Sequence, residues 1–216
     1  MRPRPARRRK PSSTAWLSRQ LNDPYVAAAR REGWRSRAAF KLLEIDDRFH
    51  LLRPGMRVVD LGAAPGGWTQ VAVKRIGADR GHGVVVGVDR VEIVPIAGAV
   101  LLQLDIRDET AAAAIRGALG GPADLVLSDM APATTGHAQT DHLRMTALAE
   151  AGFAVAAVLL KPGGSFLAKV FRGGAEGELL AELKRAFAAL RHVKPPASRA
   201  ESAEVYVLAT GFRGLA

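Results

Sequence analysis

One stretch limits what this chain can fold into more than any other: Arg57-Val58-Val59-Asp60-Leu61-Gly62-Ala63-Ala64-Pro65-Gly66-Gly67-Trp68. A short apolar run leads to Asp60, and Gly62, Gly66 and Gly67 then fall within six residues. A helical pattern opens at Trp68 and runs to Ile76. The order is strand, tight glycine-rich turn, helix start. Glycine permits the backbone angles such a turn needs and lets a ligand lie against bare backbone. The helix start beyond it offers unpaired N–H groups. In α/β proteins, a buried acid followed by this kind of turn holds a nucleoside-like ligand at the carboxyl end of the first strand.

The rest of the chain supplies a sheet for that turn. Apolar runs predict strands over 57–61, 84–89, 100–105, 124–129, 165–171 and 204–211, with helices over 68–76, 109–119, 141–160 and 176–190. Earlier, a helix is expected over 25–32. A second is expected after Ser36, read as its N-cap, carrying Ala38, Ala39, Leu42, Leu43 and Ile45. The early strands are continuously apolar, as in a parallel sheet covered on both faces. Alternation of strands and helices gives an α/β class with a doubly wound sheet. A length of 216 residues suits one domain, expected over 23–216, preceded by a basic, disordered tail over 1–22.

Charge is unevenly placed. Residues 1–41 carry twelve Lys/Arg against only Asp23 and Glu32, while the remainder is balanced, so the whole net charge of +10 sits in the N-terminal fifth. A basic arm on a neutral body points to a polyanionic partner, nucleic acid above all. Arg30, Arg31, Arg35 and Arg37, interleaved with Trp34 and Phe40, are the candidate nucleic-acid contacts. Cysteine is absent, which excludes disulfides, thiolate metal sites and a cysteine nucleophile. His137 and His142 stand five apart, not on one helical face, so no metal site is expected. The apolar stretch 151–160 is too short to cross a bilayer, and the N-terminus lacks the apolar segment of a secretory signal. Residues 1–22 share the composition of an organellar leader, yet Pro3, Pro5 and Pro11 oppose the helix such leaders form. A cytoplasmic location is expected.

Asp60, Asp89, Asp105 and Asp129 each fall at the end of a predicted strand. Each alone could cap the next helix; together they read as a polar ligand-binding rim. Asp89 can accept both hydroxyls of a ribose, which suits either a dinucleotide or S-adenosylmethionine. The spacing Gly62, Gly66, Gly67 departs from G-x-G-x-x-G, and Asp60 would repel a pyrophosphate while suiting an ammonium and a sulfonium. S-adenosylmethionine is therefore favoured, with Asp105 reaching the adenine amino group.

Several further blocks occur in a fixed order: Asp23-Pro24-Tyr25-Val26, Ser36 to Leu42, Asp60 to Trp68, Asp129-Met130-Ala131-Pro132, Lys169-Val170-Phe171 and Glu204-Val205-Tyr206. In these the chain resembles the FtsJ-type family of ribosomal RNA ribose 2′-O-methyltransferases. The resemblance implies a Rossmann-like methyltransferase fold with an antiparallel last strand. It also implies a catalytic tetrad at Lys41, Asp129, Lys169 and Glu204, and cofactor contacts at Gly66, Trp68, Asp89, Asp105 and Asp129. Bacterial members modify a uridine of 23S rRNA in the large (50S) ribosomal subunit, which the resemblance makes the expected partner. A tRNA or mitochondrial rRNA ribose methyltransferase, or a non-catalytic ribosome-assembly factor, is the alternative. A ribose hydroxyl must lose its proton as it attacks, so a base within hydrogen-bond reach is needed. Lysine serves as one if burial and a second cation lower its pKa, and Lys169, with Lys41 beside it, is the expected base.

Overall fold

The computed structural model describes residues 23–133, 135–173 and 177–215. The expectation for the tail over 1–22 lies outside the described residues. Helix α1 (Pro24–Glu32) starts where Asp23 accepts the N–H of Tyr25 at 3.1 Å, with Pro24 in the first turn, and stops at the left-handed Gly33. Helix α2 (Ala38–Phe49) has no side-chain cap, contrary to the expectation for Ser36. Ser36 is instead packed on the glycine turn: a Cβ added at Gly67 would lie 2.4 Å from its Oγ.

From there strands and helices alternate: β1 (Arg57–Leu61), α3 (Gly67–Ile76), a 3-10 turn (Ala78–Arg80), β2 (Val84–Asp89), β3 (Ala99–Gln103), α4 (Ala111–Leu119) and β4 (Ala123–Ser128). Then follow α5 (Ala138–Leu159), β5 (Leu160–Phe171), α6 (Gly177–Ala186), β6 (Phe187–Val193) and β7 (Glu204–Phe212). The sheet order is β3-β2-β1-β4-β5-β7-β6. Strands β1 to β5 pair in parallel, and β7 is antiparallel to both its neighbours, as the resemblance implies. Chain order reverses between β1 and β4, which opens a crevice at their carboxyl ends.

Alternate residues of each strand feed two cores. On one face Val58, Leu125 and Leu208 pack with Leu42 and Ile45 of α2 and Trp68, Val71 and Ile76 of α3. On the other, Val59, Val126 and Phe166 pack with Ile115 of α4, Phe153 of α5 and Leu183 of α6. This coverage of both faces is what the continuous apolar strands require.

The helix predicted to reach Leu190 ends at Ala186, and the chain passes straight into β6. Ala188, Ala189 and Leu190 are good helix formers, but propensity is worth only tenths of a kcal/mol per residue. Phe187 decides the matter: it is buried, 6.1 Å from the Phe153 ring and 5.1 Å from Phe212. Burying such a side chain contributes about 2 kcal/mol or more. Helix α5 is 22 residues long and apolar enough by length and composition to cross a membrane. Its Met145, Ala149, Phe153, Ala156 and Leu159 are instead buried in this protein, as in any core helix.

Candidate active site

The predicted acids gather at the carboxyl edge of the sheet but serve different ends. Asp60 is wholly buried; its Oδ2 accepts the Thr69 hydroxyl at 2.6 Å, and its Oδ1 has no hydrogen-bond partner among the described residues. Burial pushes its carboxyl up to about 7, helped by the charges of Asp129 and Asp89 and opposed by Thr69. Asp89 ends β2 and accepts the N–H of Ala64 at 2.9 Å and of Val91 at 3.0 Å, which fixes it against the glycine turn. Asp105 lies two residues beyond β3. Hydrogen bonds from the Arg107 side chain, at 3.0 and 2.6 Å, hold its carboxyl down at about 2.

A cavity of about 690 Å³ opens beside Asp89 and Asp105, within the range of small-molecule sites. Its walls include Gly62, Ala64, Asp89, Asp105, Ile106 and Asp129. Gly62 has φ 78°, and a Cβ there would lie 2.5 Å from Cγ of Met130, so only glycine keeps this wall in place. Acceptors for a ribose, an apolar wall and bare backbone suit S-adenosylmethionine. Gly66, Gly67, Trp68 and Asp60, also expected at the cofactor, are not among the cavity walls. Gly66 and Gly67 abut Arg35 and Ser36, and Trp68 turns into the core, donating Nε1–H to the Ala38 carbonyl at 2.7 Å. Asp60 lies beneath the rim rather than on it.

Beside the cavity the four tetrad residues meet. Lys41, near the start of α2, pairs with Glu204, the first residue of β7, at 2.7 Å. Lys169 of β5 sits 3.1 Å from Oδ1 of Asp129 and donates to the Asp129 carbonyl at 2.7 Å. Both ammonium groups are nearly enclosed, the two lysines being 7% and 6% exposed. Ser198 donates to Glu204 at 2.7 Å. Burial alone would raise the Glu204 carboxyl; the charge and hydrogen bond of Lys41, with Ser198 and the charge of Lys169, outweigh it and hold the carboxyl below the usual glutamate range.

Tyr206 joins the two pairs. In the antiparallel register it stands opposite Lys169, and alternation along β7 puts it on the same face as Glu204. Its hydroxyl is 2.7 Å from Oδ1 of Asp129 and 3.4 Å from Oε1 of Glu204. A phenol has one proton, so it donates chiefly to Asp129. Burial, then the two carboxylate charges, raise its pKa well above normal, so it remains a donor. The ring lies 5.5 Å from Trp68 and 5.7 Å from the Lys41 ammonium. Sequence reasoning did not include Tyr206 in the site, although its spacing of two from Glu204 was the available signal.

The basic segment divides. Arg35 donates to the carbonyls of Pro65, Val94 and Pro95, which ties the glycine turn to the β2–β3 loop. Arg37 pairs with Asp23 at 2.9 Å and donates to the Ala197 carbonyl at 2.7 Å. These two guanidinium groups, both half-buried, hold loops of the protein together through those acceptors. Arg30 and Arg31, in the last turn of α1, are exposed. Trp34 is capped by the Lys74 ammonium at 4.2 Å, and Phe40 packs on Tyr25 at 5.3 Å.

A switch-point cavity with acidic walls, on a sheet whose last-numbered strand is inserted antiparallel, defines a Rossmann-like methyltransferase. Residues 34–212 match the model of the FtsJ-like methyltransferase family, and the chain belongs to that family. A protein of Azorhizobium caulinodans named ribosomal RNA large subunit methyltransferase E is 58% identical over 216 residues, all of this chain and 90% of that one. A Plasmodium falciparum protein described as a ribosomal RNA methyltransferase superposes with TM-score 0.74 at 26% identity, over 84% of this chain and 100% of its own. A Streptococcus mutans methyltransferase solved in complex with SAH shares the fold, with TM-score 0.51 and 14% identity over 78% of this chain and 95% of its own.

Two outcomes follow from the site. Tyr206→Phe keeps the packed ring but removes the proton bridging the carboxylates. A hydrogen bond to a charged group is worth about 1.5–3 kcal/mol, so methyl transfer should fall roughly tenfold or more while the melting transition stays cooperative. Unchanged transfer would assign the hydroxyl to packing alone. Asp60 has a folded pKa above its unfolded value, so its folded form holds a proton that its unfolded form has lost between about pH 4 and 7. Its contribution therefore turns unfavourable as pH rises through that window. Urea unfolding of Asp60→Asn and wild type should show the variant gaining in relative stability from pH 4 to pH 7, and a pH-independent difference contradicts this.

Proposed function

We propose that this protein transfers a methyl group from S-adenosylmethionine to the 2′-hydroxyl of a uridine ribose in 23S rRNA of the large ribosomal subunit, in the cytoplasm, with Lys169 as general base. The observation that carries this reading is the pair of buried lysines, each fixed on its own carboxylate, with the carboxylates bridged by Tyr206. The RNA and subunit come from the names of relatives such as the Azorhizobium protein.

The cofactor supplies an electrophilic methyl on a sulfonium. Asp89 is fitted to accept its ribose hydroxyls, Ile106 and Asp105 to meet its base, and Gly62 to let it approach the backbone. Asp129 does two jobs: it borders the cavity, and it holds the Lys169 nitrogen through both its carboxylate and its carbonyl. The nitrogen is thereby held beside the cavity, where it would meet an acceptor oxygen, and such positioning would account for much of the rate. Lys169 would take the hydroxyl proton as the ribose oxygen attacks the methyl carbon and the carbon–sulfur bond breaks. Lys41 keeps a positive charge near the target ribose, with Glu204 steadying it. Arg30 and Arg31 contact phosphates, which orients the RNA without reading its bases.

Lys169→Ala should lower transfer of labelled methyl to unmethylated large subunits by about 10²–10⁴-fold, the usual worth of a positioned base, with affinity for S-adenosylmethionine retained. Transfer near the wild-type rate would remove Lys169 from that role.

A further inference from the structure

We propose that Arg48, Phe49 and Arg191 form a phosphate-binding site for the RNA strand flanking the target nucleotide, an inference that rests on the reading of the substrate as RNA. The Arg48 guanidinium lies 5.0 Å from the centre of the Phe49 ring, and that of Arg191 lies 6.0 Å from the same ring. They come from different elements, the last turn of α2 and the edge strand β6. Both arginines are exposed, while Phe49 is half-buried and rooted in the core beneath α2.

Each charge alone has a simpler explanation. Arg48 suits the negative end of its helix. Arg191 protects an edge strand from pairing with another chain. Neither explains why two like charges converge on one ring. Neither guanidinium has a carboxylate partner among the described residues, whereas Arg37, Arg75, Arg107 and Arg199 all do. Contact with an aromatic ring engages the guanidinium and limits its rotamers, yet leaves N–H donors free for the bidentate grip on a phosphate. An arginine held in this way loses less entropy on binding.

The location agrees. Arg191 and Val193 alternate onto the sheet face that carries α2, and Val193 pairs with Tyr206. Phe49 follows Lys41 on the same helix. Eight residues at 1.5 Å each make about 12 Å along the axis. At about 3.4 Å per nucleotide along a strand, that is roughly three or four nucleotides from the target ribose.

The test is binding of large ribosomal subunits, and methyl transfer to them, over a salt series. Each phosphate contact contributes about 0.7 to the slope of log K against log salt for a single strand. The double variant Arg48→Gln with Arg191→Gln should lose about 1.4 from that slope and about tenfold or more in affinity, seen as a rise in KM. Lys184→Gln with Arg185→Gln removes the same charge from exposed positions on α6, across the sheet, and should leave the slope unchanged. A wild-type slope in the double variant, or an equal loss in the α6 control, overturns the proposal. Wild-type protein in the same series keeps the two readings apart. If it transfers no methyl to ribose, the reading of the substrate fails; if it does and the slope is unaltered, only this site falls.

Discussion

The hydrogen bond from Tyr206 to Asp129 is the contact on which the rest of the site depends. Two lysines nearly removed from water must each have a carboxylate, and breaking such a buried pair costs about 3–5 kcal/mol. The exposed pair between Arg31 and Glu32 at 3.7 Å belongs to the class worth about 0–1 kcal/mol. Here the pairs Lys41–Glu204 and Lys169–Asp129 are also neighbours, so their two carboxylates would repel without something between them. The Tyr206 hydroxyl occupies that place, raised in pKa by burial and by those same charges so that its proton stays on.

The scaffold delivers these groups through ordinary rules of sheet geometry. Register sets Lys169 opposite Tyr206, and alternation sets Glu204 beside it. Helix α2 brings Lys41 across, and its approach is fixed by Trp68 donating to the Ala38 carbonyl and by Glu44 accepting the N–H of Ala197 at 2.6 Å. Arg35 and Ser36 then pin the same segment onto the glycine turn that borders the cavity. The cavity and the two lysine–carboxylate pairs are thus parts of one packed unit.

Much of this was legible in the sequence because it rests on local patterns. Apolar runs located the parallel strands, and the turn from Asp60 to Trp68 marked the switch point. The ordered blocks around Lys41, Asp129, Lys169 and Glu204 identified residues that do meet. What was missed depends on contacts distant in sequence. Strand β6 reads as helix until Phe187 finds Phe153 and Phe212. Arg35 and Arg37 read as free charges until loops far along the chain supply their carbonyl acceptors. Asp60 reads as a rim acid, yet strand β1 continues through Leu61 and leaves it wholly enclosed. Tyr206 reads as a core aromatic, which its ring is, and only its hydroxyl reaches Asp129.

In the proposed reaction the buried lysines act on a ribose oxygen of ribosomal RNA. Mapping 2′-O-methyl groups across ribosomal RNA from cells with and without this protein tests it most directly. One uridine of 23S rRNA should lose its ribose methyl when the protein is absent and regain it when the protein is restored. An unchanged ribose map, or loss of a methyl from a base rather than a ribose, would contradict it.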